Sequence, residues 1–283
     1  MPRNAKKKLG VFVFMKARIL FGVGGFVFVL LALYVLPPFV LYAAMTALCM
    51  LAAYELAAPT GLVRGKWLLA LALAAALCQS VLACIGGAPY QALTVLVCVL
   101  AAFAVLLREH QSIRFADVSA ALFAGLVIPY MLSALTRMFR WDGGAFLVLL
   151  PLVAAWGSDT CALFAGMAFG RHKLAPVISP KKTVEGAIGG VIGATLLMLL
   201  AVYLMNRFAG LEIHYGAAAL MGACGAVIGQ AGDLAFSIIK RQSGIKDYGH
   251  IFPGHGGVLD RFDSVIFVAP AAELILIAAQ AHI

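Results

Sequence analysis

Charged side chains inside apolar segments are the first candidates for chemistry in this sequence. Charge within a membrane span is costly and is usually functional, and four acidic residues lie inside or near the ends of such segments: Glu55, Asp159, Asp233 and Glu273. Asp233 also begins a set with the spacing i, i+4, i+7 and i+8, which places its members on one helix face: Asp233, Ser237, Lys240 and Arg241. A carboxylate followed by two cations is typical of a metal and phosphate site. A structural salt bridge near the membrane interface is the alternative.

Two further carboxylates, Asp260 and Asp263, flank Arg261 at the start of the last apolar segment. At this spacing they share a face if the helix begins there, and two close carboxylates repel each other unless a cation joins them. With Asp233 they offer hard oxygen ligands, which suit a Mg²⁺ ion that bridges carboxylates and substrate phosphates. Ordinary capping of a helix N-terminus is the alternative for this pair.

Two loops could bind phosphate. Residues 246–257 contain four glycines and one proline, and glycine lets backbone N–H groups approach a ligand, although ordinary turns also use it. In this loop His255 could contact phosphate or position the loop. Residues 170–185 bring Lys181 and Lys182 directly before a helix, whose first N–H groups could hold an anion; otherwise these lysines only lie at the membrane surface. A direct role for Asp159, upstream of this loop, stays open.

Membrane helices must position these groups. The chain is 64% apolar and has a mean hydropathy of +1.01, whereas soluble domains are about 45–50% apolar. A helix crosses a bilayer with about 20 apolar residues. We therefore predict an all-α polytopic membrane protein with about nine transmembrane helices, at 19–36, 39–57, 67–85, 90–107, 118–136, 145–165, 186–205, 216–239 and 264–281.

The formal net charge of +9 is explained better by membrane topology than by nucleic-acid binding, so we expect no nucleic-acid partner. With nine spans, one set of loops contains 18 of the 21 Lys and Arg residues. Positive loops face the cytoplasm, which predicts a cytoplasmic N-terminus and an outward C-terminus. Both candidate phosphate loops belong to the cytoplasmic set.

The chain is predicted to form one integral membrane domain, 1–283. Residues 1–144 are apolar helices that could shape a lipid cavity or a dimer interface, so a homodimer is left open. Residues 145–283 contain the candidate catalytic helices and cytoplasmic loops. Glycines four residues apart in the later helices, such as Gly186 and Gly190, predict close helix packing.

The segment from Ser237 to Asp263 resembles the signature of the phosphatidate cytidylyltransferases, also called CDP-diacylglycerol synthases. All fixed positions of that signature agree over 27 residues: Ser237-x-x-Lys240-Arg241, Lys246-Asp247, a glycine-rich stretch, His255-Gly256-Gly257, Asp260-Arg261 and Asp263. Ser179-Pro180-Lys181-Lys182-Thr183 and Asp159-Thr160 are also similar to that family. By motif, the resemblance covers roughly the C-terminal half.

This resemblance implies the reaction of CTP with phosphatidic acid to give CDP-diacylglycerol and pyrophosphate in phospholipid biosynthesis. It implies Mg²⁺ as the cofactor, with K⁺ as a candidate second cation, and an enzyme of the inner, cytoplasmic membrane with its site facing the cytoplasm. The expected catalytic residues are Asp233, Lys240, Arg241, Asp260 and Asp263, and the expected metal ligands are Asp233, Asp260 and Asp263. The expected phosphate-binding residues are Ser179, Lys181, Lys182, Ser237, Lys246, His255, Gly256, Gly257 and Arg261.

The phosphate of phosphatidic acid is already a nucleophile, so we expect direct attack on the α-phosphorus of CTP without a covalent enzyme intermediate. No histidine stands at a spacing that would aim a base at Ser237, although folding could bring His255 close. Two other functions remain open. One is a different membrane enzyme of lipid phosphate chemistry, such as a CTP-dependent lipid kinase. The other is a transporter or channel, which the concentration of polar residues on one side disfavours.

Overall fold

The structure, a computed structural model, describes residues 24–25, 27–251 and 256–280. Residues 27–34 are helical, and the named helices begin after them. These are α1 (Pro38–Ala57), α2 (Lys66–Ile85), α3 (Ala88–Arg108), α4 (Phe115–Leu122), α5 (Ile128–Leu132), α6 (Ala134–Phe139), α7 (Gly144–Leu147), α8 (Leu149–Phe169), α9 (Val184–Ala209), α10 (Tyr215–Gln242) and α11 (Leu259–Gln280). Two short strands, β1 (Lys173–Ala175) and β2 (Ser179–Thr183), lie between α8 and α9.

Eight helical segments within the described ranges are long and apolar enough to cross a membrane. They coincide with the second to ninth predicted spans, and α4 to α6 together form one of them, as do α7 and α8. Residues 19–23 and 26 of the first predicted span, 19–36, lie outside the described residues, and its part at 27–34 is helical. The prediction of an all-α polytopic membrane protein is confirmed.

Helix boundaries follow from proline and glycine. Pro38 and Pro89 stand in the first turns of α1 and α3, where a missing N–H group costs nothing. Gly86 ends α2 and Gly210 ends α9, both in the left-handed conformation, which glycine adopts without a Cβ clash. These residues set the lengths of the spans that the hydropathy predicted.

The fourth span in the described chain, Phe115–Phe139, is not one continuous helix. A π-helical turn, Phe123–Val127, separates α4 from α5. Within it Gly125 packs against α2 so closely that an added Cβ would lie 2.5 Å from the carbonyl oxygen of Ala72. Such turns insert an extra residue and redirect the helix, and hydropathy alone contains no signal for them.

The basic loop at 170–185 contains an antiparallel hairpin, which we did not predict. Strands β1 and β2 pair with Lys173 opposite Thr183 and Ala175 opposite Ser179. At the end of β2 the Oγ1 atom of Thr183 accepts the N–H of Gly186 at 3.1 Å and caps α9. The hairpin therefore holds Lys181 and Lys182 of β2 directly before the start of α9.

Helices α8 and α9 pack with almost no side-chain space between them. A Cβ added at Gly189 would lie 2.2 Å from the Cβ of Ala165, and one added at Gly193 would lie 2.4 Å from the Sγ of Cys161. The predicted close packing of glycine-bearing helices is confirmed. This contact fixes the position of the hairpin, which connects the two helices.

The N-terminal helices share buried contacts with the C-terminal ones. One cluster joins Leu56 of α1 to Phe236 of α10 and to Leu259 and Ile266 of α11. Elsewhere, Arg137 of α6 donates from Nε and Nη2 to Glu273 of α11 at 2.7 and 2.6 Å. These contacts connect the first half of the chain to the helices that bear the signature residues.

Candidate active site

The predicted polar face of α10 is present and meets the hairpin. The Oγ of Ser237 lies 3.4 Å from Oδ1 of Asp233, one turn away on the same helix. The ammonium group of Lys182, from strand β2, contacts Oδ2 of the same carboxylate. Two motifs separated by 51 residues in sequence therefore meet at Asp233, where neither side chain is fully buried.

Asp260, in the first turn of α11, accepts three hydrogen bonds. Its Oδ1 accepts from the Nζ of Lys240 at 3.0 Å. Its Oδ2 accepts the backbone N–H groups of Tyr248 and Gly257 at 2.8 and 2.9 Å. The Asp260 carboxylate thus joins α10 to both ends of the glycine-rich loop, and it is stabilised by a cation and two amides.

Tyr248 closes the loop against α10. Its ring is buried and packs edge-on against Phe236 at a centroid distance of 6.0 Å, and its hydroxyl donates to the carbonyl oxygen of Phe236 at 2.8 Å. Burial raises the pKa of the Tyr248 hydroxyl, and the nearby carboxylates of Asp260 and Asp263 raise it further. Tyr248 therefore stays protonated and serves as a hydrogen-bond donor at physiological pH.

Asp263 has surroundings different from those of Asp260, although only three residues separate them. It is 8% exposed, and its Oδ1 accepts the N–H of Ser264 at 2.9 Å. It also interacts electrostatically with Asp233, with Lys240 and with Asp159 of α8. Asp260 therefore organises the loop, whereas Asp263 belongs to a group of carboxylates between α8, α10 and α11.

Asp159 also belongs to this group, and it is exposed. It interacts electrostatically with Asp233, and with the cations Lys182 and Arg261. When an exposed carboxylate lies within a span and faces other charged groups, it indicates a polar recess rather than a lipid-facing surface. The proximity of Asp159 to the signature residues supports a place for it in the site.

These carboxylates suit a divalent cation by chemistry, since Mg²⁺ prefers hard oxygen ligands. Asp233 and Asp263 interact with each other, and their mutual repulsion would fall with a cation between them. Within the described ranges, however, no three His, Cys, Asp or Glu side chains converge on one point that could hold a metal. Both oxygens of Asp260 are engaged by Lys240 and backbone amides, so the three-aspartate ligand set remains a prediction.

The structure also gives positions for most of the other predicted phosphate-binding residues. Ser179 begins β2, and four cationic side chains are exposed near it or near α10 and α11: Lys181, Arg241, Lys246 and Arg261. Gly256 has a φ of +83°, and an added Cβ would lie 2.8 Å from Oδ2 of Asp260, so only glycine fits there. The N–H of Gly257 donates to Asp260, and His255 lies outside the described residues.

Sequence reasoning did not assign a role to Glu55 of α1, which the structure places beside the site. Its two carboxylate oxygens accept the N–H groups of Val258 and Leu259 at 3.0 and 2.8 Å. The only signal in the sequence was an acidic residue near the end of an apolar segment. Its partner, 203 residues away, cannot be identified from spacing.

The amino-acid sequence is similar to those of known phosphatidate cytidylyltransferases. A phosphatidate cytidylyltransferase of Rickettsia felis is 38% identical over 176 residues, which is 61% of this chain and 77% of that protein. One of Thermotoga maritima is 34% identical over 188 residues, 66% of this chain and 69% of that protein. One of Staphylococcus aureus is 38% identical over 167 residues, 58% of this chain and 62% of that protein.

A family model covers nearly the whole chain, including the apolar N-terminal helices that the signature did not reach. The matched residues are 16–278, and the model describes the Cytidylyltransferase family. The family resemblance inferred from the signature is thus confirmed. With its polar centre set among membrane-spanning helices, this chain belongs to the cytidylyltransferase family and is a nucleotidyltransferase.

Proposed function

We propose that this enzyme is a phosphatidate cytidylyltransferase, which converts CTP and phosphatidic acid into CDP-diacylglycerol and pyrophosphate for phospholipid biosynthesis. The observation that carries the proposal is the meeting of Lys182 with Asp233, beside the contact of Lys240 with Asp260. Two pairs of a cation and a carboxylate thereby lie along one face of α10, among membrane-spanning helices. Such a centre suits two polyanionic substrates, of which one is a lipid. The names of the relatives agree with it.

In the proposed reaction, a phosphate oxygen of phosphatidic acid forms a bond to the α-phosphorus of CTP. The bond from that phosphorus to the oxygen bridging to the β-phosphate breaks, and pyrophosphate leaves with the electron pair. The lipid phosphate is the nucleophile, so no enzyme nucleophile or base is needed. The main task of the protein is to hold two anions together in line for attack.

Lysine and arginine side chains would offset the repulsion between the two substrates. Lys182 and Lys240 each contact a carboxylate and would exchange that partner for phosphate oxygens. The exposed cations Lys181, Arg241 and Lys246 would bind the outer phosphates. In this proposal Ser237, which contacts Asp233, is a hydrogen-bonding residue and not a nucleophile.

We also propose Mg²⁺ as the cofactor, with K⁺ as a candidate second cation. Asp233 and Asp263 would hold Mg²⁺, and Asp260 completes the predicted ligand set. When bound, Mg²⁺ would neutralise phosphate charge and polarise the α-phosphate. Because CTP is cytosolic and the basic loops predict the inward side, we propose that the site opens to the cytoplasm from the inner membrane, where the enzyme acts without a nucleic-acid partner.

The decisive assay uses the purified protein in vesicles that contain phosphatidic acid, with CTP labelled in the α-phosphate and Mg²⁺. We expect label in a lipid product and release of one pyrophosphate per labelled lipid. A CTP-dependent lipid kinase would instead release labelled CDP and leave the lipid unlabelled. If the lipid stays unlabelled and no nucleotide is turned over, the result contradicts an enzymatic function and favours transport.

A further inference from the structure

A carboxylate from the N-terminal half lies under the signature loop. Glu55, in the last turn of α1, is 2% exposed. Both of its oxygens face the start of α11, where they accept the N–H groups of Val258 and Leu259. The first amides of a helix lack partners within the helix, and the partial positive charge there favours an anion. Glu55 therefore caps α11 from a helix that is distant in sequence.

The same carboxylate sets how closely the glycine-rich loop can approach α1. A Cβ added at Gly249 would lie 2.3 Å from Oε1 of Glu55, and one added at Gly257 would lie 2.3 and 2.4 Å from its two oxygens. All three distances are far below van der Waals contact distance. Neither glycine has a positive φ. At Gly257 the three nearest atoms all belong to Glu55, and at Gly249 the two nearest do, so the need for glycine comes mainly from Glu55 and not from backbone conformation.

Two carboxylates thus share three consecutive amides at the start of α11. Gly257 donates to Asp260, and the next two residues donate to Glu55. Asp260 and Asp263 lie within the first five residues of that helix. Any shift in its first turn therefore moves both of these carboxylates relative to Asp233 on α10.

We infer that Glu55 is a positioning residue for cytidylyl transfer, which acts by fixing the first turn of α11 and the loop before it. This inference rests on the proposed function and gives the N-terminal half of the chain a part in the reaction. Glu55 itself is buried, and both of its oxygens accept backbone N–H groups. Its effect reaches the reacting groups through Asp260 and Asp263.

The test begins with Glu55→Gln, which keeps the shape of the side chain. The new amide group turns a donor toward one of the two backbone N–H groups, so one hydrogen bond is lost and two donors face each other. A displacement of about 1 Å in an active site can lower the rate about 100-fold. We expect kcat per folded enzyme to fall by about 10- to 100-fold, with the KM for CTP changed by less than about threefold.

Glu273→Gln is the matched control, because Glu273 is also buried, lies on α11, the helix that Glu55 caps, and makes two hydrogen bonds to Arg137. It should lower thermal stability and leave kcat per folded enzyme unchanged.

A second test adds a methyl group at Gly257. Gly257→Ala alone should nearly abolish activity, whereas Gly257→Ala combined with Glu55→Ala should be more active than Gly257→Ala alone, because the clashing carboxylate is gone.

A readout without activity separates this inference from the proposed function. Amide hydrogen exchange of residues 256–263 should accelerate at least about tenfold in Glu55→Gln and stay as in wild type in Glu273→Gln. If wild type forms no CDP-diacylglycerol, the proposed function fails, and exchange still tests the cap. The positioning role would be overturned if Glu55→Gln kept the kcat or the amide exchange of wild type. It would also be overturned if Glu55→Gln and Glu273→Gln lost kcat equally.

Discussion

For the ion pair between Lys240 and Asp260, we predict that substitutions change the stability and the activity of the enzyme by different amounts. Their side chains are 12% and 5% exposed, and the Nζ to Oδ1 distance is 3.0 Å. In Asp260→Asn the amide oxygen can still accept the N–H groups of Tyr248 and Gly257, but the amide nitrogen then faces the lysine. The variant therefore keeps the loop contacts and leaves a buried cation without its anion.

The expected loss of stability follows from this arrangement. Removing one partner of a buried ion pair costs about 3–5 kcal/mol. Lys240 keeps its interaction with Asp263 and lies 5.4 Å from the ring centroid of Tyr248, so we expect the lower end, about 3 kcal/mol. Activity should fall about 100-fold or more, because the electrostatics of the site change directly.

The informative variant is the double substitution Asp260→Asn with Lys240→Met. Replacing both partners removes the unpaired charge, and such replacements are often neutral in stability. We expect the double variant to regain about 2 kcal/mol relative to Asp260→Asn while its activity stays low. Unfolding in mixed detergent micelles measures the first quantity, and CDP-diacylglycerol formation measures the second. A double variant no more stable than Asp260→Asn would refute this reasoning.

Three further predictions concern substrates and metal. Asp233→Asn should still fold, and it should lower activity about 100-fold or more at saturating Mg²⁺. Asp142→Asn should leave activity nearly unchanged. Near-normal activity of Asp233→Asn would refute its assignment as a metal ligand. Arg241→Ala should raise the KM for CTP more than Lys6→Ala does, because Lys6 belongs to a tail whose charge we assign to topology, and equal effects would point to a general surface role. Labelled pyrophosphate should not enter CTP until phosphatidic acid is added; lipid-independent exchange, with label from CTP trapped on the protein, would instead point to a nucleophile such as Ser237.

The parts of the fold that depend on local sequence could be predicted. Continuous apolar runs located the eight spans that the described residues contain, because a helix needs about 20 apolar residues to cross a bilayer. The common face of Asp233 and Lys240 on α10 followed from helical spacing alone. The same reasoning gave the close approach of the glycine-bearing helices α8 and α9.

Contacts between distant segments could not be predicted in this way. Nothing near Lys182 or Asp233 in the sequence indicates that they meet, and Glu55 finds its partners more than 200 residues away. The different surroundings of Asp260 and Asp263 depend on the path of the loop before α11, which spacing does not fix. The extra residue of the π-helical turn at Gly125 is also invisible to hydropathy, because it leaves the apolar run unbroken.

The ion pair of Arg137 with Glu273 has a consequence for how the chain enters the membrane. The two residues are 136 positions apart, so a ribosome synthesises Arg137 long before its acidic partner. During that interval the guanidinium group can stack on Tyr130, 4.6 Å away, and donate to the carbonyl oxygen of that residue, which helps a lone cation remain in an apolar segment. Only when α11 packs beside α6 is the charge of Arg137 neutralised by Glu273, so a nascent chain that stops before Glu273 retains a cation without its acidic partner.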